Sequence, residues 1–203
     1  MENKLKDIVS KTCKLFQKFG IKSVSMDDIA RECGISKKTL YESVKDKHEL
    51  VEKVIDFEFN KESHAPHTID FANMNAVEVL FIVYKSSIDF FKDFNMSMEY
   101  DLKKYYSDLY IKNNKRRREH IYAKMVINMK QGREEGSFRD DFNIDIIAKL
   151  HILKIEGLLQ SDIFEDTNYT IVEIFKELFT HHFMAIATEK GRIEFNKKIA
   201  EIN

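Results

Sequence analysis

A chain of 203 residues with 43% apolar content, 16 Phe and 8 Tyr can build a substantial core, which excludes a disordered protein. One proline and six glycines among long, charged, periodic stretches point to an all-α fold. The net charge of −1 gives no global attraction to nucleic acid, so any DNA affinity must come from local charge.

In chain order, Leu5, Ile8, Val9, Thr12, Leu15, Phe16 and Phe19 recur at helical spacing and Gly20 closes a first amphipathic helix. Ser25 with Asp28 three residues on has the spacing of a capping box and starts a second helix. Gly34 breaks it, because glycine tolerates the left-handed backbone that ends a helix. Ile35 then plugs the angle, and Ser36 starts a third helix of roughly Lys37 to Val44. Ala30 permits close crossing, while Ile29, Cys33, Leu40 and Val44 supply the apolar faces. Two short helices joined by such a turn form a helix-turn-helix, whose second helix is the one presented to the DNA major groove. Residues 1–50 hold eleven Lys/Arg against eight Asp/Glu, with Lys37, Lys38, Lys45 and Lys47 around that helix.

A fourth helix, with Leu50, Val51, Val54, Ile55 and Phe57, leads to the connection around His64-Ala65-Pro66-His67, where the only proline forbids a helix interior. The domain boundary falls within this joining helix: 1–48 is the reading head and 49–203 a larger helical domain. Helices are expected over Asn75 to Phe94, Ser97 to Leu109 and Tyr110 to Glu135, the last ending at Gly136. Two more follow, from about Asp145 through Leu159 and from Tyr169 to Thr188, with Gly191 as a cap, giving about nine helices in all. The tail from Arg192 is left undecided. No run of about 18 apolar residues and no apolar amino-terminal stretch is present, so a cytosolic protein with no membrane contact is expected. Cys13 and Cys33 read as buried free thiols.

Residues 5–55 resemble the TetR family of bacterial transcriptional regulators. The resemblance rests on Leu15-Phe16 then Phe19-Gly20, Ser25-Met26-Asp27-Asp28-Ile29-Ala30, Gly34-Ile35-Ser36-Lys37, Thr39-Leu40-Tyr41, and Lys47 with Leu50. Glu135-Gly136-Ser137-Phe138-Arg139 is also familiar from the carboxy-terminal domains of such proteins. The resemblance implies a homodimer through the last two long helices, a double-stranded DNA operator of two-fold symmetry, repression, and release by a small-molecule effector. Glu42, Ser43 and Val44 depart from the aromatic, histidine and Phe residues usual at these positions.

Candidate DNA-binding residues are Ser25, Ser36, Lys37, Lys38, Thr39, Tyr41 and Lys47. Lys37, Lys38 and Thr39 open the third helix, where side chains and free amides meet phosphates and base edges; a solvated basic turn is the rival reading. Tyr41 can give its hydroxyl to a phosphate or pack on the first helix. Lys47 at a helix amino terminus opposes the dipole, which suits an outside anion. Glu42 reads as solvated or paired with Lys38. For the effector, Phe81, Tyr84, Tyr105, Tyr106, Met125, Met129 and Glu156 combine apolar area with polar handles, although core packing explains each as well. The basic run Lys115-Arg116-Arg117-Arg118 spreads around a helix rather than forming a stripe. His64 and His67 with Glu62, and His181-His182, fall short of a metal set, so no metal or cofactor is expected. No phosphate-binding glycine loop or nucleophile elbow supports an enzyme. The alternative class is a helical dimeric interaction or ligand-binding protein that has lost DNA binding.

Overall fold

The computed structural model describes residues 2–63, 73–93, 96–160, 163–164 and 166–200. His64 and His67, the side chain of Glu62, and most of the expected connection lie outside them. Among the described residues ten helices follow in order: α1 (Glu2–Phe19), α2 (Met26–Cys33), α3 (Lys37–Tyr41), α4 (Lys47–Ser63), α5 (Ala76–Asp93), α6 (Met96–Tyr105), α7 (Ser107–Glu134), α8 (Ile144–Gln160), α9 (Ile171–Ile186) and α10 (Glu189–Ala200). The all-α expectation is met, and the tail left undecided by the sequence is helical through Ala200.

Two compact units divide the chain, Met1–His64 with Asp93–Arg117, and Ala65–Lys92 with Arg118–Asn203. In the first, Ile8, Phe16, Ile29, Leu40, Val44, Leu50, Val51 and Val54 share one core with Leu102 of α6 and Leu109 of α7. Phe19, placed by its spacing on the apolar face of α1, is instead 51% exposed, with the Lys18 ammonium 4.9 Å from its ring. Glu58 of α4 ties that helix to α1 by accepting from Cys13 Sγ at 3.0 Å and from Gln17 Nε2 at 3.1 Å. Cys13 is buried and Cys33 half-buried, and the two are thiols not joined in a disulfide.

Three side-chain pairs of constant register join α4 to α7. His48 meets Asp108 at 3.1 Å, Glu52 meets Lys112 at 2.6 Å, and Asp56 meets Arg116 at 2.6 Å. Four residues separate successive rungs on each helix, so the partners lie along one facing edge and the helices run in the same direction. Arg116 also covers the Phe59 ring at 4.0 Å.

The second unit is built on aromatic packing. Phe175, Phe179 and Phe183 on α9 recur every four residues and meet Tyr84 and Phe91 of α5 and Phe195 of α10. Phe183 stacks on Phe195 at 4.1 Å, and Tyr84 lies 4.7 Å from Phe179. Thr170 and Glu173 form a capping box for α9. Asn75 and Glu78 cap α5 reciprocally, and α10 docks there through Lys198–Glu78 at 3.0 Å and Asn75–Glu194 at 2.6 Å. Gly136 ends α7 with φ +71°, as expected. Gly191, expected as a cap for α9, is a buried position inside α10, and Ala187 caps α9. Its missing side chain is what lets α10 approach the Ser137 carbonyl: a Cβ would lie 2.2 Å from that oxygen.

Candidate nucleic-acid interface

The start of α2 is fixed locally. Ser25 Oγ accepts from the Asp28 amide at 3.2 Å, while the Asp28 carboxylate accepts from the Ser25 amide at 2.9 Å. The hydrogen bonds from Ser25 hold the Asp28 carboxyl below its ordinary range. Gly34 closes α2 at φ +67°, its amide reaching Ala30 and Arg31. Ser36 then caps α3, accepting from the Thr39 amide at 3.0 Å and bonding the Thr39 hydroxyl at 2.9 Å. The helical hydrogen bonding of α3 runs on through Glu42 and Val44, whose amides reach the Lys38 and Leu40 carbonyls. Only Leu40 of α3 is buried, so the helix is anchored by one side chain and offers the rest outward.

On that outward face Ser36, Lys37, Lys38, Tyr41 and Glu42 are exposed and Thr39 is half-buried. Tyr41 is 45% exposed. Lys37 reaches back to Asp27 of α2 at 3.0 Å, a contact the sequence reading did not foresee, and this hydrogen bond raises the Lys37 pKa. It braces the two helices against each other across the turn.

Lys47 is placed differently from the other candidates. Its half-buried ammonium donates to the carbonyls of Ile21 at 2.6 Å and Val24 at 2.5 Å, so it already clasps the α1–α2 turn. Burial, followed by the nearby charge of Lys22, lowers its pKa. The same turn is held from the other side by Asp101 of α6. That buried carboxylate accepts from the Lys22 amide at 2.7 Å, and Gly20 of the turn has φ +79°. With Lys22 and Asp101 79 positions apart in sequence, no local pattern could announce the contact.

The effector candidates fall in both units. Tyr105 is exposed at the end of α6, and Tyr106 packs against the core of the first unit. Phe81 and Tyr84 join the aromatic cluster of the second, both near Phe195. Burial, then the Glu177 charge, raises the Tyr84 pKa. Met129 is buried and Met125 half-buried on α7. Glu156 is engaged by both Nε and Nη2 of Arg118. Arg116 and Arg118 thus turn to different partners, as their helical spacing requires. His181 is exposed and His182 buried, facing apart; the partner the sequence did not reveal is His151, whose ring lies 4.3 Å from that of His182. Among the described residues no group of three or more His, Cys, Asp or Glu is placed to hold a metal ion, and no helix is long and apolar enough to cross a membrane.

Residues 8–54, which span α1 to α3 and the start of α4, match the family described as bacterial regulatory proteins, TetR family. The helix-turn-helix segment is thus similar to TetR-family regulators. The family comprises transcription regulators with a DNA-binding helix-turn-helix, not enzymes. No curated protein matches the chain. The whole TetR-like fold recurs in solved structures of low identity. A transcriptional regulator from Cytophaga hutchinsonii has a TM-score of 0.71 at 18% identity, over 91% of this chain and 99% of that one. A TetR regulator from Chloroflexus aurantiacus has a TM-score of 0.67 at 13% identity, over 92% and 98%. A protein from Saccharomonospora viridis, named as a regulator and solved in complex with choline, has a TM-score of 0.68 at 18% identity, over 93% and 100%.

Proposed function

We propose that this protein is a regulator of the TetR type, a homodimeric repressor that binds a two-fold-symmetric operator and is released by a small-molecule effector. Residues 1–48 form the reading domain, and 49–203 the effector and dimerisation domain. The observation that carries the reading is the construction of α3. It is capped by Ser36, braced by Lys37–Asp27, anchored by Leu40, and leaves Lys37, Lys38 and Tyr41 facing outward for phosphates and base edges. Ser25 and Lys47 border the same surface as phosphate contacts; Lys47 has one ammonium proton beyond those donated to Ile21 and Val24.

Support for a dimer through α8 and α9 comes from α8, where Ile146, Leu150 and Leu153 stand 53%, 44% and 63% exposed at helical spacing. An apolar stripe of this kind on a soluble helix calls for a cover, and a second copy of the same stripe is self-complementary about a two-fold axis. Support for an effector comes from the choline-bound fold neighbour and from the aromatic interior around Phe81 and Tyr84 in the second unit. Of the candidates, Phe81, Tyr84, Met125, Met129 and Glu156, which share the second unit, are the proposed contacts.

Selection from a random pool of duplexes by the purified chain tests the reading. The expected result is enrichment of an inverted repeat, bound tightly and with strong salt dependence. Weak, sequence-independent retention would instead leave a helical dimeric protein without DNA-reading function.

A further inference from the structure

Beside the helix-turn-helix, within the same compact unit, α6 and the α1–α2 turn bring together lysines and exposed tyrosines that the operator reading does not use. Tyr100 and Tyr105 are 57% and 44% exposed. The Lys22 ammonium sits 4.6 Å from the centre of the Tyr105 ring, and the Lys104 ammonium 5.5 Å from the same ring and 5.1 Å from that of Tyr100. Lys104 also donates to the Tyr100 hydroxyl at 2.8 Å. Lys103 is exposed beside it.

Four features give this cluster a direction. First, neither cation is consumed by an ion pair: among the described residues no carboxylate lies within salt-bridge distance of the Lys22 or Lys104 ammonium, unlike Lys37 with Asp27 or Lys112 with Glu52. Secondly, the acid nearest Lys22, Asp101, is buried and spends its carboxylate on the Lys22 amide. Thirdly, the cations are held rather than free: ring faces attract ammonium groups, so Tyr105 gathers two like charges that would otherwise spread apart. Fourthly, the cluster is continuous with the reading head. Lys22 lies three residues before the Ser25 cap, in the turn that Lys47 clasps through Ile21 and Val24.

Uncompensated, pre-positioned cations adjoining a DNA-reading element meet what the backbone of a duplex supplies, a row of phosphates continuing past the bases being read. We infer that Lys22 and Lys104, organised by Tyr100 and Tyr105, form a second phosphate-contacting patch that grips the DNA backbone flanking each half-site. The inference rests on the operator reading above. It adds α6 to the DNA-contacting surface and assigns it a contribution to affinity that is independent of sequence.

The test uses the full chain and a duplex selected by it. Dissociation constants of the wild type and of Lys22→Ala/Lys104→Ala are measured across a salt series on the selected duplex and on a scrambled one. The double variant is expected to bind roughly 10-fold more weakly near ~0.1 M salt. Its log–log salt slope should be shallower by about two per bound subunit, since each phosphate contact contributes about 0.9. The ratio between selected and scrambled duplexes should not change, because phosphate contacts carry no base information. Unchanged affinity and slope on a site that the wild type does select overturns the patch alone. A collapsed ratio also overturns it, by showing that the lysines act through the reading helix. If the wild type selects no site, the operator reading is what fails. Both side chains are exposed, and the Lys22–Asp101 bond uses the backbone amide, so an unchanged unfolding midpoint is the expected control.

Discussion

The imidazoles of His151 on α8 and His182 on α9 lie 4.3 Å apart, inclined by 50°, with His151 Nδ1 and His182 Nε2 both buried and without a hydrogen-bond partner among the described residues. Burial lowers both pKa values, to about 4 for His151 and about 3 for His182. After burial, the charge of Lys154 lowers His151, and His151, Lys154 and His181 in that order lower His182. The pair is therefore neutral in the fold, while in the unfolded chain each ring titrates near ~6.5.

Stability should accordingly fall with acidification. Below about pH 6.5 the unfolded chain binds protons that the fold refuses, so the contribution of the pair is fully present above that value and lost as pH falls toward 4. The slope approaches about 1.4 kcal/mol per pH unit for each histidine. Chemical denaturation at pH 7.5, 6 and 5 measures it, and His151→Leu/His182→Phe should flatten the profile in this window. An equally steep profile in the double variant would remove the pair as its cause.

Lys47→Met is expected to destabilise the chain as well as to alter DNA binding. It withdraws two donors from the Ile21 and Val24 carbonyls, at a cost of about 1–3 kcal/mol. Thermal unfolding in the absence of DNA isolates this term. A midpoint equal to the wild type's would show that the clasp contributes nothing to the fold.

Gly191→Ala should be among the most damaging single-methyl additions in the second unit. The new Cβ meets the Ser137 carbonyl oxygen at 2.2 Å, and a backbone atom held by Thr188 and by the α9–α10 junction cannot move aside cheaply. The expected loss is about 1–3 kcal/mol or more. Gly157→Ala on α8 is the contrast, because nothing lies within 4 Å of its Cβ. It should gain roughly 0.5–1 kcal/mol of helix propensity in the isolated protomer.

Leu153→Glu tests the proposed dimer. A carboxylate within the stripe formed with Ile146 and Leu150 would have to be buried unpaired on association, so sedimentation should shift from dimer to monomer at micromolar chain concentration. Secondary structure by circular dichroism should stay unchanged, since the position is open in the protomer. Persistence of the dimer would move the interface away from α8.

The Asp56–Arg116 rung can be weighed by a double-mutant cycle of Asp56→Asn and Arg116→Met. A coupling of about 0.5–1 kcal/mol is expected for a part-exposed pair of this geometry. Zero coupling would reduce the rung to a solvated coincidence.

What the sequence revealed follows the range of the interactions. The Ser25–Asp28 capping box, the Gly34 turn and the Ser36 cap are formed by residues three or four apart, so their chemistry is legible as spacing. The all-α fold was legible for the same reason. Asp101 and Lys22 meet only because α6 folds back onto the α1–α2 turn, and neither residue type at its own position signals that outcome. His182 was visible beside His181, but the ring it contacts belongs to another helix. The effector candidates were chosen by residue type, and type does not distinguish Tyr84, within an aromatic cluster, from Tyr105, exposed beside Lys22.

The rungs between α4 and α7 act as a vernier. Sliding one helix by a turn in one direction sets Glu52 against Asp108, two carboxylates; sliding it in the other takes His48 from its acid and leaves Asp108 stranded. Translation along the shared edge is penalised both ways, whereas a tilt about the edge keeps every partner in place. Whatever motion α4 makes relative to α7 is thereby steered into pivoting, and a small angle at the edge becomes a larger displacement at the far tip of the lever.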